Sequence, residues 1–302
     1  MDESGLFFLR KMKVLRAESA GFCRGVERAI NIVRDYVRKG RSPVFTDGPL
    51  IHNRQMMAEL EAEGVREVGD YRSSAELDLG LAPELREKAV VIVRAHGVTP
   101  ERREYLKTLG AEFRDATCPD VGVIAGRVRL FAKRGYSTLV FGDPNHPEVV
   151  GILGYAEGRG YAVRTEADIA ALPPLGDKVC MVSQSTMFVD DFDVLAEKVR
   201  ERWPKAEIFN TICGATRARQ HDVGRLAEQG AEAVVVIGGR HSANTVKLAT
   251  LVERHGLPCF HIETLRELDL ERMKRYSVVG VTAGASTPGF LIDEVCSALE
   301  KL

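Results

Sequence analysis

The hydrophobic positions of the chain follow one succession of patterns three times over. Apolar residues recur at helical spacing after positions 23 and 118, and more weakly after position 213. Each of these stretches ends at a glycine, a residue that commonly ends a helix in the left-handed conformation. The three glycines are Gly40, Gly135 and Gly230. Short apolar runs follow them, PVF, STLVF and EAVVVI, and such runs are typical of buried strands.

Each stretch continues with a polar loop, a second helix, a second apolar run and a second polar loop. The second runs are AVVIV, KVCMV and SVVGV, and a further helix is predicted after each. A short stretch then closes the first two units, EFRDAT and EIFNTI, whereas the third unit has none at its end. The segment KVLRAESAGF near the start of the chain has the same character. We therefore expect this N-terminal strand to close the ring of units.

Strands that alternate with helices predict parallel sheets joined by right-handed crossovers. The fold class that we expect is α/β, with three pseudo-threefold related parallel-sheet units arranged as a trefoil. The expected units are residues 13–116, 117–212 and 213–286, and the final helix, 287–302, is expected to pack on the first. Chance periodicity in an ordinary α/β protein is the alternative, but cysteines, helix-ending glycines and polar strand ends agree in all three units.

Charge and cysteine content narrow the class of protein. Lysine plus arginine number 42 and aspartate plus glutamate number 43, which gives no sign of a nucleic-acid-binding surface. The first dozen residues hold only a four-residue apolar run, too short for a signal peptide or a membrane span. We therefore expect a cytoplasmic protein, in whose reducing surroundings the six cysteines are free thiols or metal ligands rather than disulfides.

Three of the cysteines open the predicted first helices at equal spacing. Cys118 lies 95 residues after Cys23, and Cys213 lies 95 residues after Cys118. Threefold symmetry would bring three thiolates together at helix N-termini, where helix dipoles favour anionic sulfur. An iron–sulfur cluster with one iron left open fits such a set. Zinc is the competing metal, although the short CxxC pairs that usually bind it are absent. The remaining cysteines are predicted to be small buried hydrophobes: Cys180, Cys259 and Cys296.

Polar residues follow the predicted strands, at the edge where parallel α/β sheets bind ligands. Histidines, hydroxyls and an amide beside helix N-termini suit a phosphate or diphosphate, although no Lys or Arg occupies these loop positions. A lone histidine is more often structural, but three at repeat-equivalent strand ends favour a binding role; the other four are expected to be structural. The candidate residues are His52, His96, His146, Glu148, Ser185, Thr186, Ser242, Asn244 and Ser286.

Glu148 is the only carboxylate among these candidates. An acidic residue at a helix start is normally a capping or dipole partner. Glu148 follows His146 and Pro147, however, and we expect it to face the cavity, which makes it the candidate proton donor. The sequence contains no GxGxxG, Walker A or CxxxCxxC motif, so bound nicotinamide, nucleotide hydrolysis and radical chemistry lack sequence support.

Eight segments, spread over all three units from about residue 13 to the C-terminus, together resemble the 4-hydroxy-3-methylbut-2-enyl diphosphate reductase family of the non-mevalonate isoprenoid pathway. They are SAGFCRGVERAI, GPLIHNRQ, RAHGV, DATCP, GDPNHPEVVG, SQSTMFVDD, ICGATRARQ and VTAGAS. The resemblance implies a trefoil fold around one 4Fe–4S cluster per chain. It also implies that the substrate hydroxyl binds the open iron, two electrons and two protons enter, and water leaves. The products would be isopentenyl and dimethylallyl diphosphate, and an external donor such as ferredoxin or flavodoxin would supply the electrons.

The resemblance also implies roles for individual positions. The implied cluster ligands are Cys23, Cys118 and Cys213; the implied diphosphate contacts are His52, His96, Ser242, Asn244 and Ser286. His146 would contact the substrate and Glu148 would be the proton source, with Ser185 and Thr186 beside them. The family commonly has threonine at position 185, where this chain has serine. Ser185 keeps the hydroxyl and lacks the methyl group, so a water-positioning role survives there with less rigidity. The family also commonly has a second serine where Ala243 stands. One neutral hydrogen bond is worth about 0.5–1.5 kcal/mol, so its loss weakens phosphate binding modestly and does not abolish it.

Two other functions remain open at the level of the sequence. A three-cysteine cluster dehydratase, similar in symmetry to quinolinate synthase, would use the open iron as a Lewis acid and would need no electron donor. An iron–sulfur redox sensor would use the same cluster without catalysis. A sensor usually carries a DNA-binding module, which the sequence does not display, and it does not need nine polar residues at six strand ends.

Overall fold

The computed structural model describes residues 11–69 and 76–302. The N-terminal stretch in which we expect neither a signal peptide nor a membrane span lies outside the described residues, apart from its last two positions. In the described part of the chain, no helix is both long and apolar enough to cross a membrane.

The described residues contain twelve short strands. They are β1 Lys13–Arg16, β2 Val44–Asp47, β3 Val65–Val68, β4 Val90–Val93, β5 Glu112–Asp115, β6 Ser137–Phe141, β7 Gly160–Val163, β8 Val179–Ser183, β9 Glu207–Ile208, β10 Ala233–Ile237, β11 Cys259–Ile262 and β12 Val278–Ala283.

Helices separate most of these strands. The α-helices are α1 Arg24–Arg38, α2 Arg54–Ala62, α3 Pro83–Arg86, α4 Pro100–Lys107, α5 Pro119–Lys133, α6 Pro147–Leu153, α7 Glu166–Ala170, α8 Val189–Arg202, α9 Gly214–Glu228, α10 Ala243–Arg254, α11 Leu270–Met273 and α12 Gly289–Leu299. Two 3₁₀ turns, Gly154–Ala156 and Leu265–Glu267, complete the helical segments of the described chain.

The strands form three four-stranded sheets in which neighbouring strands run parallel. The strand orders are β3-β2-β4-β5, β7-β6-β8-β9 and β11-β10-β12-β1. In the third sheet β1 therefore takes the edge position that β5 and β9 take in the other two. The prediction of an α/β fold with three parallel-sheet units is confirmed, and the N-terminal strand supplies the element that the third unit lacks.

The chain divides into two compact units. The first and second sheets belong to one unit, Cys23–Arg217, and the third sheet belongs to the other, which joins the chain up to Phe22 to Ala218–Leu302. Within that second unit α12 packs against β12 and β1. The three unit boundaries that we expect from the sequence repeat stay a prediction.

The central strands are buried on both faces, as their unbroken apolar sequences require. Every residue of β4, β8 and β10 is buried. The edge strands β3, β7 and β11 are absent from the sequence-based pattern, and their residues range from buried to exposed. An edge strand that keeps part of its surface in solvent has no continuous apolar run, and that run is the feature by which a buried strand is recognised.

The first helix of each repeat ends where the sequence places its glycine. Helices α1, α5 and α9 are each 15 residues long. Gly40, Gly135 and Gly230 follow them with φ angles of +70°, +81° and +85°. This left-handed backbone is unstrained only for glycine, and it reverses the chain so that the next strand can run back along the helix.

Two glycines of α5 and its C-terminal turn provide a stability test with opposite expected signs. Gly135→Ala should lower the free energy of unfolding by about 1 kcal/mol, because alanine is strained at positive φ. Gly126→Ala, at an exposed mid-helix position where a Cβ meets no atom within 4 Å, should raise it by about 0.5–1 kcal/mol. Urea unfolding followed by circular dichroism measures both. Shifts of the same sign would contradict this account of the helix end.

Candidate active site

Each of the three evenly spaced cysteines lies immediately before a long helix. Cys23 is the N-cap residue of α1 and Cys118 that of α5, and Cys213 precedes Gly214, the first residue of α9. The sequence repeat therefore places all three sulfurs at helix N-termini, where the unsatisfied backbone N–H groups and the helix dipole favour a thiolate. All three cysteines belong to the same compact unit.

Backbone hydrogen bonds tie two of the cysteines to the polar loops after the central strands. The amide of Cys118 donates to the carbonyl of Ala95 at 2.8 Å, and the amide of Cys213 donates to the carbonyl of Ser185 at 3.0 Å. Ala95 is next to His96, and Ser185 is itself a candidate residue. The same kind of backbone hydrogen bond therefore joins a cysteine to a candidate binding loop at two equivalent places in the repeat.

Gly25 lets the first turn of α1 pack closely against two of the cysteine side chains. A Cβ atom at this position would lie 2.5 Å from the Sγ of Cys118 and 3.9 Å from the Sγ of Cys23. Any side chain at residue 25 would therefore collide with Cys118. The first turn of α1 can approach that thiol only because glycine stands there.

Burial opposes ionisation of two of these thiols, those of Cys118 and Cys213. Burial raises the pKa of the Cys118 thiol to about 11, and the amides of Asp120 and Val121 at the start of α5 act in the opposite direction. Burial also raises the pKa of the Cys213 thiol. A negative charge on Cys23 adds to both effects. Binding of a metal centre must therefore displace thiol protons.

The three cysteines can be compared with the ligands of a single zinc ion. Sulfur ligands of one tetrahedral zinc, with Zn–S bonds of about 2.3 Å, lie about 3.8 Å apart. Among the described residues, the group of three potential ligands whose atoms lie within 4.8 Å of one another is the histidine set, not the cysteine set. The cysteine set does not form so compact a group among the described residues.

The three predicted histidines lie together although they are far apart in sequence. The ring centroids of His52 and His96 are 4.5 Å apart, and His146 lies 5.9 Å and 5.6 Å from them. His52 follows β2, His96 follows β4 and His146 follows β6, so all three stand beyond the carboxyl ends of strands. We call His52, His96 and His146 the histidine trio.

Arg94, which sequence reasoning missed, lies against the histidine trio. It follows β4 directly, and its side chain is completely buried. One terminal guanidinium nitrogen lies 3.2 Å from Nδ1 of His96 and 3.5 Å from Nε2 of His52. Our expectation from the loop positions, which contain no Lys or Arg, therefore overlooked a cation that reaches the same place from the end of the preceding strand.

Glu148 is buried and held by Ser185. Its two carboxylate oxygens accept hydrogen bonds from the amide of Ser185 at 2.5 Å and from the hydroxyl of Ser185 at 2.8 Å. His146 caps α6, since its Nδ1 accepts a hydrogen bond from the amide of Glu148 at 3.2 Å. Glu148 therefore lies between the histidine trio and the loop that bonds to Cys213, and its negative charge raises the pKa of the Cys213 thiol.

Gln184 is a second residue that the sequence did not single out. It is fully buried. Its side-chain oxygen accepts from the amide of Asp143 at 3.1 Å, and its side-chain nitrogen donates to the hydroxyl of Thr186 at 3.0 Å. It thereby links the loop after β6 to the loop after β8. A polar residue that directly continues a buried strand is the sequence signal common to Gln184 and Arg94.

The remaining candidates belong to the unit that holds the third sheet. Ser242 caps α10 by accepting from the amide of Thr245 at 3.4 Å, so a purely structural role also accounts for it. Asn244 and Ser286 are buried. The side-chain nitrogen of Asn244 is buried and has no hydrogen-bond partner among the described residues, which is the condition expected of a group that binds a ligand.

The three cysteines that we expected to be structural lie away from the helix starts. Cys180 and Cys296 are buried in the apolar cores, and Cys259 is half-buried in β11. Burial raises the pKa of Cys180 to about 12 and that of Cys259 to about 11. Thiols of this kind behave as small hydrophobic side chains.

Comparison with known proteins gives one consistent family. The family described as LytB protein matches residues 14–300. A protein of Opitutus terrae named 4-hydroxy-3-methylbut-2-enyl diphosphate reductase is 62% identical over 96% of this chain and 100% of its own length. A protein of the same name from Aquifex aeolicus is 35% identical, over 96% of both chains.

Two solved structures have the same fold. The E-1-hydroxy-2-methyl-but-2-enyl-4-diphosphate reductase of Plasmodium falciparum has a TM-score of 0.85 and 27% identity, over 95% of this chain and 87% of that one. An (E)-4-hydroxy-3-methyl-but-2-enyl diphosphate reductase, described as the terminal enzyme of the non-mevalonate pathway, has a TM-score of 0.67 and 34% identity, over 96% of this chain and 100% of that one. Sequence and structure agree over nearly the whole chain, and this protein therefore belongs to the LytB family.

Proposed function

We propose that the protein removes the hydroxyl group of (E)-4-hydroxy-3-methylbut-2-enyl diphosphate reductively, giving isopentenyl diphosphate and dimethylallyl diphosphate. Its relatives at 62% and 35% identity carry the name of that reductase. The observation that carries the proposal is the grouping, within one compact unit, of three helix-start cysteines, the histidine trio and a buried carboxylate. Such a set offers a metal centre, hydrogen-bond donors and an acid to one small substrate.

Cys23, Cys118 and Cys213 would hold one 4Fe–4S cluster. When bound, the cluster supplies electrons to the substrate and an open coordination position next to it. Three features support the fit: the sulfurs stand at helix N-termini, Gly25 lets the start of α1 approach the Cys118 thiol, and the thiols do not form a compact single-ion group among the described residues. Zinc would also supply no electrons for a reduction.

The overall reaction consumes two electrons and two protons and releases the hydroxyl group as water. One proton converts the leaving hydroxyl into water and the other adds to the allylic carbon skeleton. The electrons would come from an external carrier such as ferredoxin or flavodoxin. This requirement distinguishes the reductase from a cluster dehydratase, which would turn over without a donor.

Glu148 would deliver protons at its carboxyl group. It is buried, and its hydrogen bonds to the amide and hydroxyl of Ser185 hold both oxygens in place. Ser185 and Thr186 can pass a proton on, but a hydroxyl group cannot supply one at neutral pH. A positioned acid that faces the reacting group is the usual arrangement for general acid catalysis.

The diphosphate would be bound by N–H and O–H donors from several strand ends. His52 and His96 would donate from one compact unit, and His146 would contact the substrate beside them. The assignment of Ser242, Asn244 and Ser286 to the same diphosphate rests on the family resemblance. The side-chain nitrogen of Asn244 supports this assignment, because it is buried and has no hydrogen-bond partner among the described residues.

Replacement of the cluster ligands is the first test. Each of Cys23→Ser, Cys118→Ser and Cys213→Ser should lose most of its iron, because a site with three protein ligands has none to spare. Iron content after anaerobic purification is the measurement, and Cys259→Ser, a half-buried cysteine in β11, is the control. Full iron retention in any of the three variants would remove that cysteine from the ligand set.

The second test separates an acid from a helix-start carboxylate. Glu148→Gln can keep both hydrogen bonds to Ser185, since the amide oxygen accepts from the backbone N–H and the amide nitrogen donates to the hydroxyl. It loses only the acid. We expect normal iron content and substrate binding, with turnover reduced by about 10²–10⁴ in a dye-linked assay.

Glu101 provides the matched control for Glu148. Thr99, Pro100 and Glu101 open α4 just as His146, Pro147 and Glu148 open α6, but Glu101 is exposed. Glu101→Gln should leave turnover unchanged. Turnover of Glu148→Gln within a few-fold of the parent would show that the proton comes from another group.

The third test concerns the diphosphate. His52→Ala and His96→Ala should each weaken substrate binding by about 1.5–3 kcal/mol, the usual loss for a hydrogen bond to a charged group. Both should keep the cluster. His255→Ala, at an exposed histidine with no predicted role, is the control. Normal binding together with lost iron would mean that the histidines support the metal site instead.

A further inference from the structure

Arg94 is a permanent charge in an unusual place. Its side chain has no exposed surface and is the largest completely buried side chain of the described residues. A guanidinium group stays protonated in proteins, and its transfer out of water is costly unless polar groups surround it. The position directly after β4 and two residues before His96 places this charge against the histidine trio.

The contacts of Arg94 determine which histidine nitrogens carry protons. A guanidinium group can donate but cannot accept, so Nδ1 of His96 and Nε2 of His52 must act as acceptors. A neutral imidazole then carries its single proton on the opposite nitrogen, Nε2 in His96 and Nδ1 in His52. His146 is fixed in the same way, because its Nδ1 accepts from the amide of Glu148.

These tautomers favour an anion over a metal ion. The spacing alone would allow a metal, since one ligand atom from each ring lies within 4.8 Å of the others. In a metal-binding histidine, one ring nitrogen binds the metal and the other donates its N–H to a carbonyl or carboxylate. In the histidine trio, one nitrogen of each ring instead accepts a hydrogen bond from a donor, which is the guanidinium of Arg94 or the amide of Glu148. The remaining nitrogens therefore carry protons and offer N–H groups. A metal cation would also lie close to a buried guanidinium charge.

Arg94 also supplies what the histidines lack. Burial lowers the pKa of His96 well below its ordinary value, with further contributions from His52, Arg94 and His146. At neutral pH the His96 ring is therefore uncharged and offers a dipole. A diphosphate carries several negative charges, and a fixed cation behind the neutral donors complements them.

We propose that Arg94 is the positioning residue of the diphosphate site, holding His52 and His96 in the tautomers that offer N–H groups to the anion and placing a permanent positive charge behind them. This inference rests on the proposed function, because it takes a diphosphate as the ligand. It adds a residue that acts on the substrate through other side chains.

The test uses the iron-loaded enzyme with Arg94→Met and Arg94→Lys. Methionine replaces the aliphatic stem of arginine and carries no charge. The KM and the dissociation constant for inorganic diphosphate should both rise about 10- to 100-fold, because the charge-assisted hydrogen bonds that hold two anion-binding histidines are lost. The kcat value should change less than about threefold, because the acid and the cluster ligands are untouched. Lysine keeps the charge without the planar fork and should recover part of the affinity.

A spectroscopic measurement separates positioning from general stability. Nitrogen-15 NMR of the histidine rings should give a single tautomer for His52 and His96 in the parent and a mixture in Arg94→Met. Arg102→Lys is the matched control. Arg102 is also buried, but its partner is Asp47, at 2.7 Å. That variant should have a lower thermal midpoint with unchanged KM and unchanged tautomers.

Two results would overturn the inference, and they differ in what else they affect. If Arg94→Met binds inorganic diphosphate within about threefold of a parent that turns over normally, Arg94 has no positioning role and the proposed function stands. If the parent neither binds diphosphate nor turns over, both proposals fail together. Should Arg94→Met not fold, Arg94→Lys decides: unchanged KM and unchanged tautomers overturn the inference, and a change in both supports it.

Discussion

The site depends on the way in which the repeat fastens its cysteines. The amides of Cys118 and Cys213 donate to carbonyls in the loops after β4 and β8, so each sulfur is fixed relative to a loop that carries polar side chains. A hydrogen bond between two backbone groups does not depend on side-chain rotamers. A cysteine of the proposed cluster and a loop of the proposed substrate site are therefore joined directly through the backbone.

Around these anchors the protein buries charge and satisfies it locally. Glu148 and Gln184 have almost no exposed surface, yet each makes two hydrogen bonds. Both bonds of Glu148 go to Ser185, and those of Gln184 go to Asp143 in the loop after β6 and to Thr186 in its own loop. Buried polar groups of this kind are costly if a partner is lost, so they restrict the loops to few conformations. The same low-dielectric surroundings strengthen the effect of Arg94 on the histidine trio. The same packing therefore fixes the positions of these polar side chains and keeps them away from water.

Prediction from the sequence was most successful where the signal was local and repeated. The cysteines at helix starts, the glycines at helix ends and the central strands follow from periodicity and from the backbone preferences of single residues. The grouping of His52 with His96 could be expected because both follow strands of the first sheet, whose carboxyl ends meet at one edge. The threefold repeat extended that expectation to His146, which follows β6 of the second sheet. Arg94 and Gln184 escaped prediction because each continues a buried strand, and only packing reveals whether such a residue turns outward or inward.

The sequence by itself determined the order of the central strands and the long helices, the three parallel sheets and the identity of the residues at their ends, because these depend on hydrophobic period and on residues close together in the chain. Only the tertiary structure decided that Arg94 is buried against His52 and His96, that both oxygens of Glu148 are bonded to Ser185, and that Gly25 makes room beside Cys118. The Glu148–Ser185 and Gly25–Cys118 contacts join residues far apart in sequence. For Arg94, whose contact with His96 spans only two residues, the sequence could not say whether the side chain turns inward. The geometry of all three contacts depends on how whole helices and strands pack, which no local sequence pattern encodes.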